Sequence, residues 1–437
     1  MTSPNLTPDR TGDLLYRRIT WRLMPVLLAG YIIAYIDRVN VSFAKLQMMG
    51  DLKFSDSVYG VGAGIFFLGY FAFEIPSNII LHKVGARIWI CRVIVTWGIV
   101  SALTALVHTP VQFYIARLLL GVAEAGFFPG MILYLTYWFP AHRRAAMVAL
   151  LMAGNPVSGI IGGPLSGFIL HHFTNTNGIA GWQWLFILEA IPAILFGAVI
   201  FLFLDNRVVE ATWLSPNERA TVAAEIHAEA ETKSHLSISS VFTSPKVWLL
   251  CAIFFGIEMG SYAVGFWQPT IIRQSGVKDA FTIGLLTTIP YATALVTLVL
   301  TGRDSDRTRE RRWHTIFPSL AAAVGFLLCT RGSNTALAML GLVLATAGVI
   351  TAVAMFWALP TSLLGGNAAA AGIAFVNCTG NLGGFFSPTV IGFLKTYAGT
   401  LNSGLYLIAG CMVASSILIF TLAPAPIVSL RPQEEPI

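Results

Sequence analysis

Residues 27–43 read LLAGYIIAYIDRVNVSF, an apolar run that holds an acid and a base side by side, Asp37 and Arg38. A charged side chain at the centre of a bilayer costs on the order of 3 kcal/mol on insertion scales, so such a run either ends at the pair or uses it. At about 1.5 Å per residue, Asp37 falls about 22 Å past Arg22 in a hydrocarbon core of about 30 Å, on the outer side of centre. Adjacent helical positions point about 100° apart, so the two side chains do not face each other and each needs its own partner.

Working outward, the same apolar character recurs along the chain. Of 437 residues, 56% are hydrophobic and 11% charged, with a mean hydropathy of +0.72. A soluble domain carries about 25% charged residues, so a water-soluble globule is excluded. A crossing helix needs about 20 mostly apolar residues. Twelve such runs start near Trp21, Ser57, Ile88, Val111, Ala145, Gln183, Lys246, Phe281, Trp313, Thr335, Ala369 and Leu401. Several contain Gly or Pro, which helices embedded among other helices tolerate, and no alternating barrel strands are visible. The expected fold class is an all-α membrane protein. The polar opening and the full-length first run argue against a cleavable signal peptide.

Lys and Arg concentrate in alternate loops: Arg10, Arg17 and Arg18, then Lys83 and Arg87, then Arg143 and Arg144, then Arg303, Arg307, Arg309, Arg311 and Arg312. By the positive-inside rule these face the cytoplasm, with both termini, and the net charge of +6 needs no nucleic acid to explain it. The longest polar stretch, about 205–245, divides six runs from six. Within it Ser215, Pro216 and Glu218 form a capping box that starts a short helix outside the lipid. The expected organisation is a tail over 1–20, a six-helix bundle over 21–204, the central loop over 205–245, a second bundle over 246–423 and a tail over 424–437. GIIGGPLSG from Gly159 and GNLGGFFSP from Gly380 echo each other as packing seams. Paired halves are the layout of a carrier that rocks around a midplane site. GVGAG from Gly60 opens a membrane helix with no strand before it, so it is read as packing rather than a nucleotide loop. The five cysteines sit singly, without disulfide or metal spacing, so no metal site and no cofactor are expected.

An ionisable residue inside a membrane run is a functional candidate by default. Besides Asp37 and Arg38 there are Glu74, Arg92, Arg117, Glu124, Glu189 and Glu258. Arg117, Gly121 and Glu124 fall at i, i+4 and i+7 and share a face, with the small Gly leaving room for a ligand or a neighbouring helix. An internal salt bridge is the alternative reading, because buried charges are paired. Arg holds a carboxylate through two parallel hydrogen bonds, and a buried acid beside Arg can exchange protons, which together suggest an anion carried with a proton. Glu74 and Glu189 are expected to have structural partners, and Glu258 stays open. Tyr35, Tyr70, Asn155, Gln268, Asn377 and Asn381 are candidate cavity residues, with Trp267 and Trp357 as walls. No nucleophile elbow, His and Cys cluster or phosphate loop suggests an enzyme, so no catalytic residue is assigned.

YIDRVN, FEIPSN, RLLLGVAEAGFFPGMILYLTYWFP, GWQWLFILEAIP and SDRTRERRWH together resemble the anion:cation symporter family of the major facilitator superfamily, over nearly the whole chain. The resemblance is greatest to bacterial members that import tartrate, phthalate or nicotinate, with sugar-acid permeases more distant. It implies twelve transmembrane helices in two pseudo-symmetric bundles, alternating access, proton symport of a small organic anion and a place in the bacterial inner membrane, as a monomer in the lipid bilayer. It implies Asp37 and Glu124 for the proton, Arg38 and Arg117 for the carboxylate, and Tyr70, Asn155 and Asn381 in the cavity. The loop motifs implied to clamp the cytoplasmic side fall on His82, Gly85 and Arg87 and on Asp306 and Arg307. His82 stands where an acid is usual and Arg309 where a Gly is usual. The expected substrate is a hydroxy or aromatic carboxylate, with a sugar acid or a proton-driven efflux antiporter as alternatives; NPVSGIIGGPLSG lacks the Gly-Pro pattern usual in antiporters.

Overall fold

In the computed structural model, which describes residues 10–231, 243–331, 334–363 and 368–422, the chain is helical almost throughout. The opening run does not end at its charges. Helix α1 (Arg10–Val39) turns once at Asn40 and continues as α2 (Val41–Asp51), an apolar span of 40 residues from Gly12 to Asp51. Asp37, read from the sequence as lying on the outer side of centre, is followed in the same span by the whole of α2.

The first half continues with α3 (Asp56–Val84), α4 (Ala86–Leu103), α5 (Pro110–Glu124), α6 (Phe127–Thr136), α7 (Ala141–Met152), α8 (Gly154–His172) and α9 (Gly181–Phe203). Helix α10 (Pro216–Glu231) follows in the polar connection. The second half consists of α11 (Pro245–Gln274), α12 (Ala280–Thr308), α13 (Trp313–Cys329), α14 (Thr335–Phe356), α15 (Ala358–Leu363), α16 (Ala368–Ala398) and α17 (Asn402–Thr421). Ten spans are long and apolar enough to cross a membrane, α13 is a shorter apolar helix, and the 31-residue α16 completes the twelve runs. The tails at 1–9 and 423–437 lie outside the described residues, as does 232–242 of the central loop.

Interior prolines such as Pro25, Pro76 and Pro164 sit inside continuous helices, as happens where neighbouring helices re-satisfy backbone groups. The break between α5 and α6 instead needs Gly126, whose φ of +83° is left-handed and whose missing side chain admits Ser77 Oγ. Gly85, at φ +97°, turns the chain from α3 into α4 beside the Asn206 side chain.

The glycine echoes are seams between the halves. A Cβ on Gly163 of α8 would strike Thr287 and lie 2.8 Å from Gly284 O on α12; one on Gly384 of α16 would lie 2.5 Å from the Phe67 ring of α3. Each half thus docks its fifth span on the second span of the other. Further links cluster at one end, opposite α10. Tyr59 Oη donates to Phe266 O (2.7 Å), Ser57 N to Thr396 Oγ1 (2.9 Å), and Lys45 and Lys395 meet Asp56 at 2.8 and 3.0 Å. Lys45 Nζ also stands 3.5 Å from the Trp267 ring centroid. His171 pairs with Asp279 at 2.8 Å, and two hydrogen bonds from Thr282 hold the Asp279 carboxyl down to about 2.

At the other end, α10 begins with the expected capping box: Ser215 N donates to Glu218 Oε2 (2.8 Å) and Glu218 N to Ser215 Oγ (3.3 Å). It docks on α1 through Tyr16 Oη to Glu225 Oε2 (2.8 Å) and the Arg18–Glu218 pair (3.0 Å).

Candidate functional site

The adjacent charges of α1 find separate partners, as their 100° offset requires. Asp37 is 1% exposed and turns to α4: Trp97 Nε1 donates to Oδ2 at 2.9 Å, Ser101 Oγ to Oδ1 at 2.9 Å, and Asn40 Nδ2 to Oδ1 at 3.4 Å. Arg38 turns to α5, where its Nε donates to Glu124 Oε1 at 3.1 Å and its Nη2 meets the same oxygen. The rings of Tyr35, Phe66 and Tyr70 surround its guanidinium at 5.0, 5.4 and 5.4 Å.

The i, i+4, i+7 face of α5 is used differently from the internal salt bridge that its spacing allows. Glu124 pairs with Arg38, not with Arg117. Gly121 admits the α3 backbone at Phe66 rather than a ligand. Arg117 is fully buried, donates from Nε to Gly62 O at 3.3 Å, and has no hydrogen-bond partner on either Nη. Its guanidinium lies 5.2 Å from the Phe66 ring, so this one ring is in cation–π reach of both arginines. A buried guanidinium with free donors is costly unless an anion or a conformational change meets it.

Tyr35, Arg38 and Asn155 line a cavity of about 530 Å³ with Tyr262, Tyr291 and Thr346 of the second half. Asn381 reaches this wall indirectly, accepting from Tyr262 Oη at 3.4 Å. Tyr70 touches Arg38 from behind. Asn377 is half-buried on α16, and Trp357 packs on Phe254 with ring centroids 4.7 Å apart; neither lines the cavity. Glu189 accepts from Ser166 Oγ at 2.6 Å, whereas Glu74 Oε2 lacks the expected partner. Glu258, left open by the sequence, is buried one helical turn before Tyr262. Gln268 and Trp267 lie outside the main cavity. Gln268 lines a neighbouring one of about 340 Å³ at the α8–α12 seam, and Trp267 caps Lys45.

The loop-motif residues bond within their own halves. His82 Nδ1 meets Tyr137 Oη at 2.8 Å, Arg87 N donates to Asn206 Oδ1 at 3.0 Å, and Asp306 pairs with Arg311 at 2.6 Å. Gly85 makes the turn described above, and no cross-half partner of Arg307 is among the described contacts. Sequence reasoning missed Tyr262, Tyr291, Trp97 and Ser101, because uncharged residues in apolar runs do not announce which way they face. It also missed the Lys45–Asp56–Lys395 cluster, whose members are scattered loop charges in the sequence.

Two six-span halves, a buried charge pair and a polar cavity between the halves define a membrane transport protein. The chain belongs to the Major Facilitator Superfamily, whose sequence pattern matches residues 27–388. It is 48% identical over 96% of its length to a candidate metabolite transport protein, NicT, of Pseudomonas putida, covering 97% of that protein. It is 46% identical over 94% of its length to a candidate tartrate transporter of Agrobacterium vitis, covering 93% of that protein. Among solved structures, the inward open conformation of the xylose transporter XylE from E. coli superposes with a TM-score of 0.76 at 14% identity, over 94% of this chain and 97% of that one. This last likeness shows the fold alone.

Proposed function

We propose that this chain imports a small organic carboxylate together with protons by alternating access, in the inner membrane of a bacterium, as a monomer with both termini and α10 in the cytoplasm. The observation that carries the reading is the buried Arg38–Glu124 pair at the cavity wall. While Glu124 is ionised it occupies the guanidinium that a substrate carboxylate needs. A proton on Glu124 releases Arg38, so proton and carboxylate binding become one linked event. Arg117, fully buried with both Nη free, would be the second cation for the anion once helix movement uncovers it, and Asp37 would hold a further proton.

The cross-half contacts opposite α10 support an inward-facing state in which Lys45, Asp56 and Lys395 close the outer end. His82, Gly85, Arg87, Asp306 and Arg307 then make up the separated inner clamp. Tyr35, Asn155, Tyr262 and Asn381 offer hydroxyl and amide partners suited to a hydroxy acid, which together with the second relative's name favours tartrate as the first substrate to try.

Uptake of tartrate, phthalate, nicotinate and sugar acids into proteoliposomes, with and without an inward proton gradient, tests the reading. At least one acid is expected to concentrate only with the gradient, and Glu124→Gln to abolish concentration. Gradient-independent uptake of every acid overturns it.

A further inference from the structure

Asp37 cannot be reached directly from either cavity. It is 1% exposed, lines neither the main cavity nor the seam cavity, and its carboxylate is enclosed by Trp97, Ser101 and Asn40. The ring of Phe127 packs on Trp97 with centroids 4.7 Å apart. A proton bound there needs a route.

Besides Glu124, a second carboxyl interacts with Asp37. Glu189 of α9 is 3% exposed, accepts from Ser166 Oγ at 2.6 Å through Oε1, and leaves Oε2 buried without a partner. The charged group facing it is Asp37, from α1; its polar neighbours are Ser166, from α8, and Asn40, from the α1–α2 turn. Asp37 in turn lies in the field of Glu124 and Arg117. Asn40 is fully buried, gives its Nδ2 to Asp37, and its Oδ1 accepts nothing. Asn40 thus adjoins both carboxyls with one amide donor group, while Glu189 Oε2 and Asn40 Oδ1 are buried acceptors to which a proton added on Glu189 would bring a donor.

The route outward is also present. Ser166 lines the seam cavity, and that cavity shares Ser158, Gly159 and Tyr291 with the main one that Arg38 lines.

We propose that Glu189 is the proton way-station between the seam cavity and Asp37, the two carboxyls sharing one proton across Asn40. A proton from solvent in the seam cavity binds the Glu189 carboxylate beside Ser166. It then passes to the Asp37 carboxylate, leaving Glu189 ionised, and the Asn40 amide donates to whichever carboxylate is charged. Net charge in the cluster changes by one proton only. Because Ser166 lies between Gly163 and Gly167, two of the glycines that pack on α12, movement of the halves would open or close the cavity side of the station. The inference rests on the proton-coupled reading for its purpose, but not for its test.

Infrared titration of the purified full-length protein reads buried carboxyl bands without any substrate. Glu189→Gln is expected to remove one band and shift the titration of another, and Asp37→Asn to do the converse, since coupled carboxyls titrate as a pair. Where the two interact by about one pK unit, losing one changes the proton occupancy of the other about tenfold at a given pH. Ser166→Ala is expected to shift the same bands without removing either. Should Glu189→Gln fail to fold, Glu189→Asp and Ser166→Ala carry the same readout. Unshifted titration of the Asp37 band in the Glu189 and Ser166 variants overturns the inference. Coupled bands in a protein whose tartrate or nicotinate uptake ignores the proton gradient leave this pair standing and overturn the symport reading instead.

Discussion

The two halves share a helical plan but not a charge distribution. Among the described residues, the buried charged side chains of the first half are Asp37, Arg38, Lys45, Glu74, Arg117, Glu124 and Glu189, and that of the second is Glu258 alone. The second half contributes Tyr262, Tyr291, Thr346 and, through Tyr262, Asn381 to the cavity. Buried charge is tolerable only where it is paired or used, so on the proposed proton-coupled reading its concentration in one half separates two tasks. The half that holds charges can bind and release protons. The half that holds neutral hydrogen-bonding groups can discriminate between substrates without changing its protonation.

The most damaging way to break this comparison is to leave one member of the Arg38–Glu124 pair alone. Removing one partner of a buried pair costs about 3–5 kcal/mol. Arg38→Gln should therefore lower the melting temperature of the purified protein more than any single change in the second half, and Arg38→Gln with Glu124→Gln should recover most of the loss. Additive losses would show that the two side chains do not depend on each other.

The seams are expected to treat the halves alike. Gly163→Leu and Gly384→Leu each force a side chain into the opposite half, and overpacking of this kind costs about 1–3 kcal/mol. Similar drops in thermal stability are the expected outcome; a drop in one variant only would mean that the α8–α12 and α16–α3 contacts are not equivalent.

A smaller change sharpens the division of labour. Tyr262→Phe removes the hydroxyl that donates to Asn381, worth about 1 kcal/mol, or about fivefold in affinity. KM for the transported acid should rise by that factor while the pH profile of uptake stays in place. A moved pH profile would give the second half a share in proton handling, with Glu258 the first residue to examine.

The outer closure should respond least. Lys395→Ala breaks a partly exposed contact worth at most about 1 kcal/mol. Labelling of Ser42→Cys, in a background without the five native cysteines, should rise by at most about fivefold; unchanged labelling would remove Lys395 from the closure. The neighbouring Asp279 carboxyl is depressed from 3.8 to about 2, so its contribution is complete at neutral pH and fades only as pH falls through that window. Melting curves of Asp279→Asn and the parent should therefore differ at pH 7 and converge in strong acid.

Much of the fold was legible in the primary structure, because its rules are local. A bilayer demands about 20 apolar residues per crossing whatever those residues later touch, so the runs could be counted before any packing was known. The capping box at Ser215 and Glu218 depends on residues three apart, and it formed as read. The divergence of Asp37 and Arg38 follows from the helical repeat, and each indeed found its own partner.

The tertiary structure decided who those partners are. Arg38 and Glu124 are separated by 86 residues, and Asp56 and Lys395 by 339. No local rule couples such positions, because which faces of two helices meet depends on how every other helix packs. The spacing of Arg117 and Glu124 allowed a bridge within one helix; packing gave Glu124 to α1 and left Arg117 with free donors. The sequence by itself determined a bundle of membrane helices that carries buried charges. Only the tertiary structure decided which of those charges stand at the cavity, which pair with each other, and which, like Asp37 and Glu189, are sealed behind it.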